Sequence, residues 1–373
     1  MIRVLNVISD SNIGGAGRVL INYLTYADKD NFDTYVALPE GSMLIEPIEK
    51  AGGKIIELDG LAERSYSKDD VRLLEKVIRE LKPDIVHTHG ALSGRIAARR
   101  CGCKVVYTRH SAFPVPAKLK YPPGRWVNKW VNEYYADAII AVSPAAKENL
   151  TDSGISEKYI TTMMNGVAPV KRSTDDDIKR FKEQFEIPED SFVILLLARI
   201  EEYKGHAILL EAAKKLRDEN RNFRIVFAGE GSFENKLKQL VNDAGLENYV
   251  VFTGFAKDVA PLLSAADLQV NASFGTETSS LSVLEGFSMG LAAVVSSYGG
   301  NPMLVDNGVN GIIFENKNAA KLHMAISGLM DDREKLAAMG REAERIYTQR
   351  FSGEVFAANI ENVYRKVMKG ARK

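Results

Sequence analysis

Apolar positions along the chain fall into two rhythms. Short, nearly continuous apolar runs read as strands buried on both faces, and the stretches between them carry apolar residues at helical spacing. The first run, residues 2–9, leads into Asn12-Ile13-Gly14-Gly15-Ala16-Gly17-Arg18. A helix follows with Val19, Leu20, Tyr23 and Leu24 on one stripe. Further strands are predicted at 34–38, 54–58, 84–87, 104–108, 138–142 and 160–164, with helical patterns such as 71–81 and 93–100 between them. Residues 168–177 (APVKRSTDDD) are polar, contain proline and lack periodicity, which predicts a linker. A second series then places strands at 192–197, 224–228, 249–253, 268–271, 292–296 and 311–314. Its helices include 207–216, 234–243 and one after Glu277, and residues 319–373 read as helical throughout.

Alternation of this kind predicts an α/β chain with parallel sheets wrapped by helices. The 373 residues exceed one ordinary core, so two domains are expected. Their expected boundaries are 1–168 and 169–352, with 353–373 as a C-terminal helix returning to the first domain. Open sheets bind ligands at the carboxyl ends of their strands, which points to a cleft between the two domains.

Composition narrows the class without naming it. A net charge of zero gives no global field to attract nucleic acid. No apolar run reaches the length of a membrane span, and the N-terminus enters a charged strand at once, so no signal peptide is expected. Cys101 and Cys103 are the only cysteines, and their spacing is neither a disulfide framework nor a redox motif. A cytoplasmic location is the expectation.

The chemistry concentrates in residues 274–291. Glu277 and Glu285 stand in a Glu-x7-Glu spacing, separated in part by Thr278, Ser279, Ser280 and Ser282. A helix starting near Ser280 or Ser282 leaves Glu277 on the preceding loop and Glu285 in or near the first turn, with Gly290 as a left-handed closing residue. A carboxylate beside free backbone N–H groups suits a ligand with hydroxyls and an anion. Ser282-x-x-Glu285 also fits a capping box that needs no ligand.

Other strand exits carry weaker signals. Arg199 and Lys204 follow the first strand of the second domain and could hold a diphosphate, or else pair locally with Glu201 and Glu202 on a solvated loop. Gly229, Gly231, Gly254 and Phe255 mark two exits where a base could approach the backbone, or where the turns are simply tight. His87 and His89 alternate on one strand face without the companions a metal needs. His110, at the end of another strand, is the better candidate. Residues 114–135 combine Trp126 and Trp130 with Lys118, Lys120, Arg125 and Lys129. That mixture fits an interfacial helix on an anionic membrane surface, and also two core tryptophans beneath a solvated basic face.

Together these residues resemble the GT-B glycosyltransferases, family 4 of the retaining enzymes. The likeness rests on Gly14-Gly15-Ala16-Gly17-Arg18, His110, Asn165-Gly166-Val167, Arg199 with Lys204-Gly205, Gly229-x-Gly231, Phe252-x-Gly254, Glu277-x7-Glu285 and Gly299-Gly300-Asn301-Pro302. It implies two Rossmann-like domains facing across a cleft, with C-terminal helices crossing back to the first, acceptor-side domain. The implied reaction moves a sugar from a nucleotide donor to an acceptor hydroxyl with retention, the acceptor being a lipid-linked or cell-surface glycan precursor. Arg199 and Lys204 would neutralise the diphosphate with help from Gly15 and Ala16. Glu285 would take the ribose, and Phe255 with Gly231 the base. Glu277 with Thr278, Ser279, Ser280 and Leu281 would hold the sugar, and His110 would contact it from the first domain. Neither metal nor cofactor is implied. Many relatives carry Gly-Phe-Gly where this chain has Thr278-Ser279-Ser280, so a uridine diphosphate sugar is the default donor only. An epimerase or hydrolase on the same fold, or a non-catalytic sugar-nucleotide binder, remain alternatives.

Overall fold

A computed structural model describes residues 1–61, 64–112 and 115–370. Position 114 of the basic aromatic stretch and positions 371–373 of the helical tail lie outside the described residues. The chain forms two units, residues 1–167 with 353–373, and residues 168–352.

In the first unit, seven strands make one sheet: β1 (Ile2–Val7), β2 (Phe32–Pro39), β3 (Lys54–Leu58), β4 (Ile85–His89), β5 (Lys104–Arg109), β6 (Ala138–Ala141) and β7 (Ile160–Thr162). Their order is β3-β2-β1-β4-β5-β6-β7 and every pair is parallel. The second unit holds β8 (Phe192–Leu197), β9 (Phe223–Ala228), β10 (Val250–Gly254), β11 (Leu268–Asn271), β12 (Ala293–Ser296) and β13 (Gly311–Phe314). These run β10-β9-β8-β11-β12-β13, again all parallel.

The apolar runs of the sequence follow from this architecture. In β8, Phe192, Ile194 and Leu196 enter one core with Phe223 and Ile225, while Val193 and Leu195 enter another with Val226. A parallel strand covered on both faces must be apolar at every position. Strand order reverses between β1 and β4 in the first sheet and between β8 and β11 in the second, where such sheets place their ligands.

Helix Gly353–Lys369 completes the first unit. Its Tyr364 is fully buried, meets Tyr23 and His87 edge-on, and shares a 2.7 Å hydrogen bond with His87 Nδ1. Glu361 on the same helix accepts the Asp28 N–H at 2.8 Å.

Two sequence expectations change and one open alternative is decided. The linker at 168–177 is shorter than its composition suggests, because Thr174 caps a helix, Asp175–Gln184, by accepting the Asp177 N–H. Asp175, Asp176 and Asp177 are that helix's first turn, where carboxylates offset the free N–H groups. The C-terminal tail is broken into Ala319–Asp331, Arg333–Ile346, a π turn Tyr347–Phe351 and Gly353–Lys369. Trp126 and Trp130 are not core residues: they are 66% and 58% exposed on helix Gly124–Tyr134.

Candidate active site

The second unit gathers its candidates where β8 and β11 end. After β8 the chain passes Arg199 and forms a short turn, Glu202–Lys204, ended by Gly205 at φ +78°. A Cβ at Gly205 would stand 2.0 Å from the Ala272 carbonyl oxygen, so only glycine lets this loop close on the end of β11. The two loops are joined by the Phe274 N–H donating to the Tyr203 carbonyl at 2.8 Å. Thr276 then adopts φ +52°, a left-handed conformation costly for a β-branched residue, and delivers Glu277.

Glu277 is 6% exposed. Its Oε2 accepts from Lys204 Nζ at 2.8 Å, Ser273 Oγ at 3.1 Å and Asn271 Nδ2 at 3.4 Å. Oε1 makes no hydrogen bond among the described residues. One oxygen is thus anchored by three donors. Asn271 accepts from the fully buried Asn301 at 3.3 Å, which also donates to Ser296 Oγ at 3.1 Å. Gly300 donates to the Glu277 carbonyl at 3.1 Å, and a Cβ there would sit 1.7 Å from the Thr278 carbonyl oxygen. The Gly299-Gly300 pair therefore packs backbone on backbone behind the carboxylate.

Lys204 is not the exposed residue its loop suggests. Its side chain is 16% exposed and that of Glu277 7%, because the closed loops bury the ion pair between them. Arg199, by contrast, is exposed. It donates to the Tyr203 hydroxyl at 2.9 Å and forms no ion pair among the described residues. Glu201, expected as its local partner, is instead hydrogen-bonded to the Ser232 hydroxyl at 2.7 Å, which holds its carboxyl below the usual range.

Leu281 opens helix Leu281–Phe287, and Glu285 is its fifth residue, half-buried, with one oxygen shielded from solvent. The capping box does not form. Ser280 is the N-cap and makes no capping bond, while Ser282 lies inside the helix with its hydroxyl 3.1 Å from that of Ser280. Thr278, Ser279 and Ser280 are buried, and Gly290 closes the turn at φ +73°. Gly231 packs under the first loop, where a Cβ would stand 2.2 Å from the Ile200 carbonyl oxygen. Phe255 is 66% exposed beside it, its N–H donating to Glu230 at 3.3 Å.

The first unit brings together a different set. Gly14 caps helix Gly15–Tyr26 without a side-chain bond, and a Cβ at Gly14 or Gly15 would meet nothing within 4 Å. Gly15 and Ala16 thus present first-turn N–H groups with no acidic residue in that turn. Across the strand ends lies a ladder of histidines. His87 stacks on His89 and His89 on His110, with His110 Nε2 2.9 Å from His89 Nδ1. His89 Nε2 lies 3.2 Å from Asn6 Oδ1. Both ring nitrogens of His87 are engaged, with Tyr364 and with Thr108, so that side chain has no lone pair for a metal. Burial pushes the His110 imidazole down to about 4 and that of His87 to about 3, so both are neutral near pH 7.

Sequence reasoning missed Asn271, Ser273 and Tyr203, which hold Glu277 and Arg199, and the contact of His89 with His110. A polar Asn271 closing the apolar run of β11 was the available signal. Among the described residues no group of three or more His, Cys, Asp or Glu could hold a metal.

Two all-parallel α/β units with these strand-end loops define the GT-B class of glycosyltransferases. The chain belongs to that family: residues 13–171 match the model described as Glycosyltransferase Family 4, and residues 177–346 the model described as Glycosyl transferases group 1. EpsD of Bacillus subtilis (strain 168) is 29% identical over 317 residues, 80% of each chain. The UDP-Gal:alpha-D-GlcNAc-diphosphoundecaprenol alpha-1,3-galactosyltransferase of Escherichia coli is 27% identical over 340 residues, 86% of each chain. Among solved structures, Anabaena Alr3699/HepE in complex with UDP and glucose superposes with a TM-score of 0.82 at 22% identity, covering 98% of this chain and 100% of that one. The chain is an enzyme that transfers glycosyl groups.

Proposed function

We propose that the protein moves a sugar from a uridine diphosphate donor to an acceptor hydroxyl, with retention at the anomeric carbon and without a metal. The observation that carries this reading is Glu277, one oxygen fixed by Lys204, Ser273 and Asn271 and the other open. A donor-sugar hydroxyl bonds the open oxygen. Lys204 bridges the carboxylate to the diphosphate, and Arg199 supplies the second cation. As the bond from the anomeric carbon to the diphosphate breaks, its electron pair stays on the leaving oxygen, and these preset charges stabilise it. A uridine diphosphate donor agrees with the galactosyltransferase relative, whose name specifies UDP-Gal, and with the UDP and glucose held by the Anabaena protein.

Glu285 takes the ribose, Phe255 and Gly231 the base, and Thr278, Ser279, Ser280 and Leu281 line the sugar. Gly15, Ala16 and His110 are the contribution of the first unit, which serves the acceptor. A lipid-linked or cell-surface glycan precursor is the proposed acceptor. UDP release from UDP-sugars, measured with and without sugar acceptors, tests the reading. Release that depends on acceptor supports transfer, whereas equal release without acceptor indicates a hydrolase. Binding of UDP without turnover of any donor indicates a binding module.

A further inference from the structure

The first unit contains a second feature that the donor chemistry leaves unused. A cavity of about 230 Å³ opens among the ends of β4 and β5, helix Leu92–Arg100 and helix Gly124–Tyr134. Its described lining includes two arginines, Arg95 and Arg109, and no carboxylate. Arg95 is 5% exposed. Its Nη1 donates to Asn132 Oδ1 at 2.8 Å, its guanidinium lies 4.2 Å above the Tyr107 ring, and its buried Nε has no partner. Arg109, half-buried, donates from Nε to the Ser111 carbonyl at 2.9 Å and from Nη2 to Asn149 at 3.1 Å. Neither forms an ion pair among the described residues.

A buried guanidinium without a counter-ion is costly, because burial disfavours its charge and a second cation adds to the cost. Both effects act on Arg95, through its desolvation and through Arg109. A cation kept at that cost beside a cavity, with part of its planar fork unpaired, is suited to a phosphate oxygen pair. Ser65 and Gly90 line both this cavity and a neighbouring groove that runs past His89 to Asn12 and Gly14. Arg109 itself directly precedes His110 at the end of β5.

We propose that Arg95 and Arg109 form an anion subsite that takes a phosphate group of the acceptor. The proposal rests on the glycosyl-transfer reading and adds to it the acceptor's chemical class, a phosphorylated molecule. The phosphate sits between the two guanidinium groups, and the rest of the acceptor lies along the groove toward His89 and the Gly14 turn. The phosphate belongs either to a water-soluble sugar phosphate or to a lipid-linked diphosphate. Helix Gly124–Tyr134 suits the second source, since Asn128, Val131 and Asn132 face the cavity while Trp126 and Trp130 are exposed.

Calorimetric titration of the UDP-saturated protein with glucose 1-phosphate, and separately with geranyl diphosphate, tests this. At least one probe should bind the wild type. Binding of the sugar phosphate assigns a soluble source, and binding of the isoprenyl diphosphate alone assigns a lipid-linked one. Arg95→Met and Arg109→Gln should each weaken that binding tenfold or more and leave the affinity for UDP within twofold. Melting curves add a readout that a packing role would not give. Arg95→Met should melt at the wild-type temperature or above it without ligand, and should lose the rise that the bound probe gives the wild type. The subsite is overturned if neither probe binds, or if both variants bind as the wild type does. Failure of the wild type to bind UDP would contradict the donor reading instead, while arginine-dependent anion binding would still uphold the subsite.

Discussion

Glu277 and Lys204 are coupled through a buried ion pair, and this changes what their substitution should do. Lys204→Ala would leave the Glu277 carboxylate buried without its counter-charge, costing the second unit about 3 kcal/mol, as breaking buried pairs does. A loop lysine in solvent would cost less than about 0.5 kcal/mol. Urea unfolding followed by tryptophan-free probes of the second unit measures the difference. The double variant Lys204→Met with Glu277→Gln should regain most of the stability and none of the turnover. The two glutamates should also separate. Glu277→Gln should lower turnover while UDP binds as before, because UDP lacks the sugar. Glu285→Gln should weaken UDP by about 1–3 kcal/mol, the range for a lost charge-assisted hydrogen bond. Full UDP affinity in folded Glu285→Gln would remove it from the site. Glu277, Lys204 and Arg199 were legible as charges at strand exits. Their pairing was not, because it depends on Gly205 and Thr276 bringing together loops about seventy residues apart in sequence.

At the scale of elements, the histidine ladder of β4 and β5 makes acid stability predictable. Burial lowers the folded-state pKa of His87 to about 3, so below about 6.5 the unfolded chain binds a proton that the folded chain refuses. The stability it contributes is complete above pH 6.5 and is lost progressively as the pH falls toward 3. At pH 5.5 the loss is about 1.4 kcal/mol for each such histidine. Denaturant unfolding at pH 7.0 and 5.5 should show it, and His87→Asn should flatten the slope whatever its effect on the level. Helix Gly124–Tyr134 carries a different expectation. Trp126→Ala should change stability by less than about 0.5 kcal/mol, and Trp130→Ala, whose ring stacks on Tyr134, by about 0.5–1.5 kcal/mol. If this face meets an anionic bilayer, co-sedimentation with phosphatidylglycerol vesicles should fall in both variants and with added salt. Binding indifferent to lipid charge and to both substitutions would count against it. Sequence pattern placed the strands of both sheets well, because residues buried on both faces leave a continuous apolar signature. It misplaced the start of helix Asp175–Gln184, whose acidic first turn has the composition of a linker, and could not decide whether the two tryptophans were buried, since amphipathic spacing fits either packing.

Across the whole molecule, two all-parallel units divide the chemistry: cations and Glu277 in one, the histidine ladder and the arginine cavity in the other. The division into repeated α/β series was legible in the order of apolar runs alone. The arginine-lined cavity was not, because Arg95 stands in an ordinary helical stretch and acquires meaning only through the cavity it lines and the charge it lacks opposite. No described helix is long and apolar enough to cross a membrane. The most direct test of the central claim is UDP release from UDP-glucose, UDP-galactose and UDP-N-acetylglucosamine in excess EDTA, for the wild type and for Glu277→Gln. The wild type should turn over at least one donor without added metal, and faster with an acceptor. Glu277→Gln should bind UDP within twofold of the wild type and turn the same donor over at least about a hundredfold more slowly, a transition-state loss of about 2.7 kcal/mol. Turnover undiminished in Glu277→Gln, or activity that appears only when Mg²⁺ or Mn²⁺ is restored, would contradict it.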